Sequence, residues 1–498
     1  PLLNENEVGH LSTKVLLGTG EQLDPDDPRL EMTYSVQTLK TSGDLPIASV
    51  DQSGVVTPLK NESYVEEGME TAWLGGTARA TVSVTVDGRT MTDSVDFTIR
   101  PFYLDYSQTI VMKMDMHMNG GVTQNFEQAL EIIKKYDQAT RGIPKVVYLV
   151  GWQTTGHDTG YPSWDQVDES LANPGMTARD SLIWLMNEGK KYNTTVSLHL
   201  NMTTCFPNSP LYNEYFSKDI LGRYSDGGLS VYGGSSVVSY YRDWQAGMIQ
   251  RRIDRLLEMY PPLAEGHTIH SDAFHVVIPS STTGNGKEAQ MSELGQKQGG
   301  YTQADEVDSM RKIFQYWRSR GLDLTSEFVD SYRKGEAFIG LQPMALQFRQ
   351  TSKDWNMGVP ACLYTGGDGG DERYGVSYTP EGNLKPGSNN ERNWLGDFAQ
   401  TSLPWAYLNT LDRISDDGTT VQFSGGVTSA STANGIVIKE GDKVLREGDN
   451  LFIPAVWQEH REIIAFSEKG YQNRTWSFPD EWEGVEKADV YQISPDGL

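Results

Sequence analysis

Hydrophobic positions along the chain repeat with three successive rhythms. Up to about residue 103 they alternate singly with polar ones. Ala80-Thr-Val-Ser-Val-Thr-Val-Asp-Gly-Arg alternates and turns at Asp87-Gly88, and Ser94-Val-Asp-Phe-Thr-Ile-Arg alternates again. A spacing of two interrupted by Asp-Gly predicts antiparallel hairpins. Ile47-Ala-Ser-Val-Asp-Gln-Ser-Gly-Val-Val has the strand pattern of immunoglobulin-like modules, so residues 1–103 are expected to form a β-sandwich ending at Pro101.

From 104 to 414 short apolar runs alternate with helical periodicity, as βα units require. Strands are predicted at 109–116, 146–152, 195–201, 268–274, 324–329, 337–341 and 359–364; an eighth is not marked. Helices are predicted at 125–138, 177–192, 243–260 and 305–320, and 394–411 also reads as helical. Phe126, Leu130 and Ile133 share one face of the first helix; Leu182, Leu185 and Met186 share one face of the second, with Thr177 as its N-cap. This order predicts a central (β/α)8 TIM-like barrel with long loops. Alternation returns over 415–498, at 419–423, 435–439, 450–454, 462–466 and 475–478, and predicts a C-terminal β-sandwich.

Composition narrows the function. A chain of 498 residues exceeds one hydrophobic core. Its net charge of -25 repels polyanions, which argues against nucleic acid or anionic membrane as partner and favours a neutral ligand such as carbohydrate. The 12 Trp and 24 Tyr suit sugar clefts, although most such rings serve packing. Cys205 and Cys362 stand far apart, without the spacing of a disulfide scaffold or a thiolate zinc site. No apolar stretch approaches the roughly 18 residues of a membrane span. The chain starts at Pro1 and stops at Ser-Pro-Asp-Gly-Leu, which reads as a piece of a longer protein. The acidic, extracellular-type surface leads to the expectation of a secreted or cell-surface bacterial protein. Gly-rich nucleotide loops, His-Glu-x-x-His and Gly-x-Ser-x-Gly are all missing, so no cofactor, catalytic metal or serine nucleophile is expected. The loop Gly366-Gly-Asp-Gly-Gly-Asp-Glu-Arg-Tyr-Gly is rich in oxygen ligands and leaves room for a structural Ca2+, but it lacks the regular acidic spacing and reads better as a cleft-edge loop. The four Asn-x-Ser/Thr triplets, at Asn61, Asn193, Asn201 and Asn473, read as chance.

In a βα barrel the chemistry gathers at the C-terminal strand ends. Those ends carry Asp115 and His117, then Trp152, His157 and Asp158, then His199 and Asn201, then Asp272, Glu327, Gln342, and finally Asp368, Asp371 and Arg373. A strand-end Asp more often caps a helix and a lone His is more often structural; the convergence is what points to a site. Thr268-Ile-His-Ser-Asp-Ala-Phe and Asp323-Leu-Thr-Ser-Glu-Phe-Val would each deliver one carboxylate from neighbouring strands. Two carboxyl groups flanking a bond are what glycoside cleavage needs, one as acid and one as nucleophile or base. Asp272, between small residues, suits the nucleophile, and the longer Glu327 suits the acid/base.

The stretches Gly151-Trp-Gln-Thr-Thr-Gly-His-Asp-Thr-Gly-Tyr-Pro, Leu182-Ile-Trp-Leu-Met-Asn-Glu-Gly-Lys-Lys-Tyr-Asn and Val196-Ser-Leu-His-Leu-Asn resemble the endo-α-N-acetylgalactosaminidase family and the related bifidobacterial-type α-N-acetylgalactosaminidases. The resemblance covers residues 109–345. It implies a retaining α-glycosidase that removes α-linked GalNAc, or a related galactose-type sugar, from mucin-type O-glycans. It likewise implies Asp272 as nucleophile and Glu327, in its Thr325-Ser326-Glu327 context, as acid/base. Trp152, His157, Asp158, His199, Asn201, Gln342, Asp368 and Arg373 would line the sugar site. Within the enzyme class the alternative is an α-galactosidase or another α-glycosidase; outside it, a non-catalytic glycan-binding or adhesion protein.

Overall fold

The computed structural model describes residues 2–4, 8–24, 26–40, 46–59, 76–100, 103–223, 228–274, 303–328, 345–347, 356–357, 361, 364–366, 371–379, 382–494 and 496–497. These residues fall into two compact units, one up to Asp105 and one from Tyr106 onward.

The first unit is built of β-strands. One sheet has the order Leu2–Asn4, Arg89–Arg100, Gly76–Val86, Leu30–Lys40, and a second the order Gly9–His10, Val55–Pro58, Ala48–Val50. Ile47, Ala48 and Val56 pack against Ala78, Ala80, Phe97 and Ile99, one apolar face on another. The Asp87-Gly88 turn joins the long strands with φ of 48° and 74°, the paired positive values that a tight two-residue hairpin turn demands.

The second unit holds a seven-stranded, wholly parallel sheet. Its strands are β1 (Ile110–Asp115), β2 (Lys145–Val150), β3 (Thr194–Asn201), β4 (Thr268–Asp272), β5 (Asp323–Phe328), β6 (Ala345–Gln347) and β7 (Tyr378–Thr379). They lie in the order β6-β5-β4-β3-β2-β1-β7. Helices α1 (Phe126–Ala139), α2 (Ala178–Gly189), α3 (Met248–Met259) and α4 (Gln303–Ser319) make the crossovers. Asn125 and Gln128 close a capping box on α1, and the Thr177 side chain accepts from Asp180 N at the start of α2. The single helix expected over 243–260 is broken in two. Tyr240–Gln245 ends before Gly247, whose φ of 66° no right-handed helix accommodates, and α3 begins after it.

The sheet departs from expectation at its edges. The strand expected at 337–341 lies outside the described residues; β6 is at Ala345–Gln347. The described part of 359–364, Ala361 and Tyr364, carries no strand. The partner of β1 on its far side is β7 at Tyr378–Thr379, too short to show periodicity in sequence. Among the described residues β6 and β7 are edges and do not pair with each other.

The C-terminal part of this unit is one antiparallel meander rather than a two-sheet sandwich. Its seven strands run from Arg413–Asp416 to Ile463–Ser467, each pairing with the next. The segment 475–478 is not a strand. Its aromatic content serves packing instead: Trp476 stacks on Phe452 with ring centroids 5.5 Å apart, and Phe478 stacks on Trp482. The region 394–411 is helical, as expected, with a π-helical turn at Phe398–Ser402 between Ser388–Asp397 and Leu403–Leu408.

Candidate active site

Alternation within the parallel strands decides which side chains meet. Thr268, His270 and Asp272 share one face of β4; Asp323, Thr325 and Glu327 share the same face of β5, in register. His199 and Asn201 of β3 stand level with His270 and Asp272. Lys113 of β1 stands level with Tyr148 of β2. This face is polar and buried, the opposite of an apolar barrel filling.

The polar groups are joined in a chain. Tyr106 Oη donates to Asp323 Oδ2 at 3.1 Å and lies 3.0 Å from Thr268 Oγ1. Thr268 Oγ1 is 2.6 Å from Tyr148 Oη, which receives Thr325 Oγ1 at 3.2 Å. His270 Nδ1 lies 2.8 Å from Thr325 Oγ1. Above this chain sit the two carboxyl groups. Asp272 and Glu327 hydrogen-bond to each other, and the buried Lys113 ammonium forms an ion pair with Glu327 Oε1. They keep 19% and 13% of their side-chain surface exposed, so the pair faces an opening.

Two carboxylates in contact cannot both hold a full charge cheaply. Burial pushes Asp272 well above the usual carboxylate range, and the neighbouring Glu327 anion pushes it further. Burial also works to raise Glu327, but Lys113 and the hydrogen bond from Asp272 outweigh it and hold that carboxyl down at about 2. The resting pair therefore carries one proton, on Asp272. Burial, reinforced by the Lys113 charge, drives His199 and His270 well below the ordinary histidine value, so both imidazoles are neutral.

The loop after β2 brings His157 to this centre because glycine lets it approach β1. A Cβ on Gly151 would stand 2.2 Å from His117 O, and one on Gly156 would stand 2.8 Å from it; His157 N donates to that same oxygen at 2.9 Å. His117 Nδ1 is in turn 2.6 Å from Asp168 Oδ2. The rings of His157, His199 and His270 form a row, with centroids 5.6 and 5.3 Å apart. His157, His199 and Asp272 offer ligand atoms within 4.8 Å of one another, as do His199, His270 and Glu327.

The structure thus gathers Asp272, Glu327, His157 and His199, and it leaves Asp158 half exposed beside His157, with 3.6 Å from Asp158 Oδ1 to His157 Nε2. Trp152 is wholly buried; its Nε1 donates to His199 O at 3.0 Å and supports the strand from behind. The Asn201 side-chain oxygen is committed to Thr203 and Thr204, whose backbone and hydroxyl groups all donate to it at 2.8–3.1 Å. Arg373 is bound by Asp371 and by Asp416 of the meander. Gln342 and Asp368 lie outside the described residues. Sequence reasoning passed over Lys113 and His270. His270 was legible, since it precedes Asp272 by two residues on the same strand face.

Residues 97–336 match the model of the family described as endo-alpha-N-acetylgalactosaminidase. A protein of Renibacterium salmoninarum, provisionally named endo-alpha-N-acetylgalactosaminidase, is 22% identical over 358 residues; the match covers 70% of this chain. It spans only 21% of that relative's length. Among solved structures, the ligand-free alpha-N-acetylgalactosaminidase NagBb of Bifidobacterium bifidum is 10% identical with a TM-score of 0.44, covering 74% of this chain and 73% of that one. The GH36 alpha-galactosidase AgaA of Geobacillus stearothermophilus is 12% identical with a TM-score of 0.43, covering 87% and 66%. The matched segment contains every residue of the Gly-His-Asp and His-x-Asn motifs and both carboxylates. The family read from those motifs in the sequence is thus the family whose model residues 97–336 match, a family of glycoside hydrolases.

Proposed function

We propose, starting from the glycoside hydrolase domain at residues 97–336, that the chain cleaves α-linked GalNAc or a related galactose-type sugar from glycans, mucin-type O-glycans among them, with retention of configuration. The observation that carries this reading is the placement of two carboxyl groups, Asp272 and Glu327, side by side on neighbouring strands at an opening, with the buried Lys113 ammonium paired to one of them. In this reading the seven parallel strands belong to a closed (β/α)8 barrel, the protein acts outside the cell or on its surface, and no step needs a cofactor.

Asp272 attacks the anomeric carbon and Glu327 protonates the departing oxygen, then draws a proton from water to release the sugar. Retaining enzymes hold their carboxyl groups about 5–5.5 Å apart. The pair here is in contact, so an arriving ring must part it, and the proton must pass from Asp272 to Glu327 as it does.

A second reading reverses the roles, and the Lys113–Glu327 ion pair favours it, because in the resting molecule Glu327 is the anion. One experiment separates the two. Aryl α-GalNAc and aryl α-Gal substrates, with good and poor leaving groups, are offered to Asp272→Ala and Glu327→Ala. Each replacement is expected to lower the rate on the poor leaving group by about 10²–10⁴-fold or more. The acid/base variant keeps its kcat/KM on nitrophenyl substrates and with azide gives a glycosyl azide of retained configuration; the nucleophile variant loses both and with azide gives the inverted one. Wild-type rates in both variants end the assignment of the chemistry to Asp272 and Glu327; sugar binding without phenol release by the native protein overturns the enzyme reading in favour of a glycan-binding protein.

A further inference from the structure

We propose that His157, His199 and Asp272 bind a divalent transition-metal cation of the Zn2+ type, and that this cation competes with sugar for the opening above the sheet. Three different elements supply the ligand atoms: the loop after β2, then β3, then β4. All lie within 4.8 Å of one another, and His199 Nε2 is 3.9 Å from Asp272 Oδ2. Neutral imidazole and carboxylate are the ligand types zinc takes, at about 2.0–2.2 Å, so small side-chain rotations, with release of the proton that Asp272 carries at rest, would close these atoms around one ion.

The independent observation is His199 itself. Its side chain is 1% exposed, and neither ring nitrogen has a hydrogen-bond partner among the described residues. A buried polar atom left bare is costly, and most buried side-chain polar atoms have a partner. A metal on Nε2 would supply one of the missing partners. His157 is 22% exposed and gives an ion a path from solvent. The second group, His199, His270 and Glu327, is less suitable, because Glu327 is already held in an ion pair by the Lys113 ammonium. Three protein ligands leave a fourth position for water or a sugar hydroxyl. Binding of the metal does not depend on the glycosidase reading; only the competition does.

The test uses the full chain stripped with EDTA, titrated with zinc chloride in a calorimeter and with cobalt(II) in a visible spectrometer. The expected result is one equivalent bound, with the absorption of a four-coordinate cobalt centre. Both His199→Ala and His157→Ala weaken it by about a hundredfold or more, since losing a group that merely orients a ligand already costs about ten- to a hundredfold. His460→Ala, an exposed histidine paired with Glu462, leaves binding unchanged. A thermal melt of each variant checks folding, and His157→Ala, on a solvent-touching loop, serves if His199→Ala does not fold. No saturable binding, or equal affinity in His157→Ala and the native chain, overturns the proposal. If zinc binds and no aryl glycoside is hydrolysed at any metal level, the enzyme reading falls and the metal site stands.

Discussion

Lys113 lies in the middle of an apolar strand, Ile110-Val-Met-Lys-Met-Asp, and every residue of that strand is buried. Burying an ammonium is costly unless it is paired, and Glu327 supplies the pair. The lysine therefore sets which of the two carboxyl groups is ionised. Replacing it with Met removes the charge that opposes burial, so the pair titrates at higher pH. The acidic limb of the kcat/KM profile in Lys113→Met is expected to move upward in pH, and an unmoved limb would show that Lys113 does not set the ionisation. At this scale the sequence was informative about the acids and silent about the base. Asp272 and Glu327 stand at strand ends, where an acid interrupts an apolar run visibly. Lys113 is tied to Glu327 by a contact between distant strands, and no local spacing announces such a contact.

Helices of the second unit are held by groups at their ends. Removing the α1 cap with Asn125→Ala should cost about 1 kcal/mol, measured by urea denaturation. Glu306, on α4, accepts from Ser239 Oγ at 2.6 Å and Tyr241 N at 3.0 Å, and so ties α4 to the start of the helix Tyr240–Gln245. Burial raises its carboxyl to about 7, against 4.5 when unfolded. Between these values the native state holds the proton and the unfolded state does not, so stability is greatest below pH 4.5 and declines up to about pH 7. Glu306→Gln should flatten that decline, by about 2–3 kcal/mol across the interval, as followed by denaturation at pH 4.5 and pH 8. Thr177 and the faces of α1 and α2 were readable, because caps and periodicity are local. The break at Gly247 was not, since one glycine in an amphipathic run is common. Residues 475–478 were misread because aromatic side chains that favour strands also stack on one another.

At the level of the whole molecule, the parallel sheet and the meander belong to one compact unit. Arg141 grips Glu462 with two hydrogen bonds of 2.7 and 3.0 Å, and Arg373 reaches Asp416 at 2.7 and 3.1 Å. Arg373 and Asp416 are both buried, and breaking such a pair costs about 3–5 kcal/mol. Arg373→Ala should lower the melting temperature and leave KM for an aryl glycoside unchanged; a raised KM with an unchanged melt would return Arg373 to the sugar. The alternating and βα regimes of the sequence anticipated a β-rich N-terminal unit, a parallel sheet and a β-rich end. They did not show that the last two are joined, because the joining residues are single charges far apart in the chain.

In both β4 and β5 the residue immediately before the acid is a serine, and Ser271 and Ser326 are partners in the ladder. A slip of one position along either strand would rotate its acid to the helix side and present a hydroxyl inward. The wholly buried Ile269 or Leu324 would turn inward with it, and the polar groups of that strand would be driven against the helices. An insertion or deletion of a single codon within these strands would thus cost the chain its packing together with its chemistry.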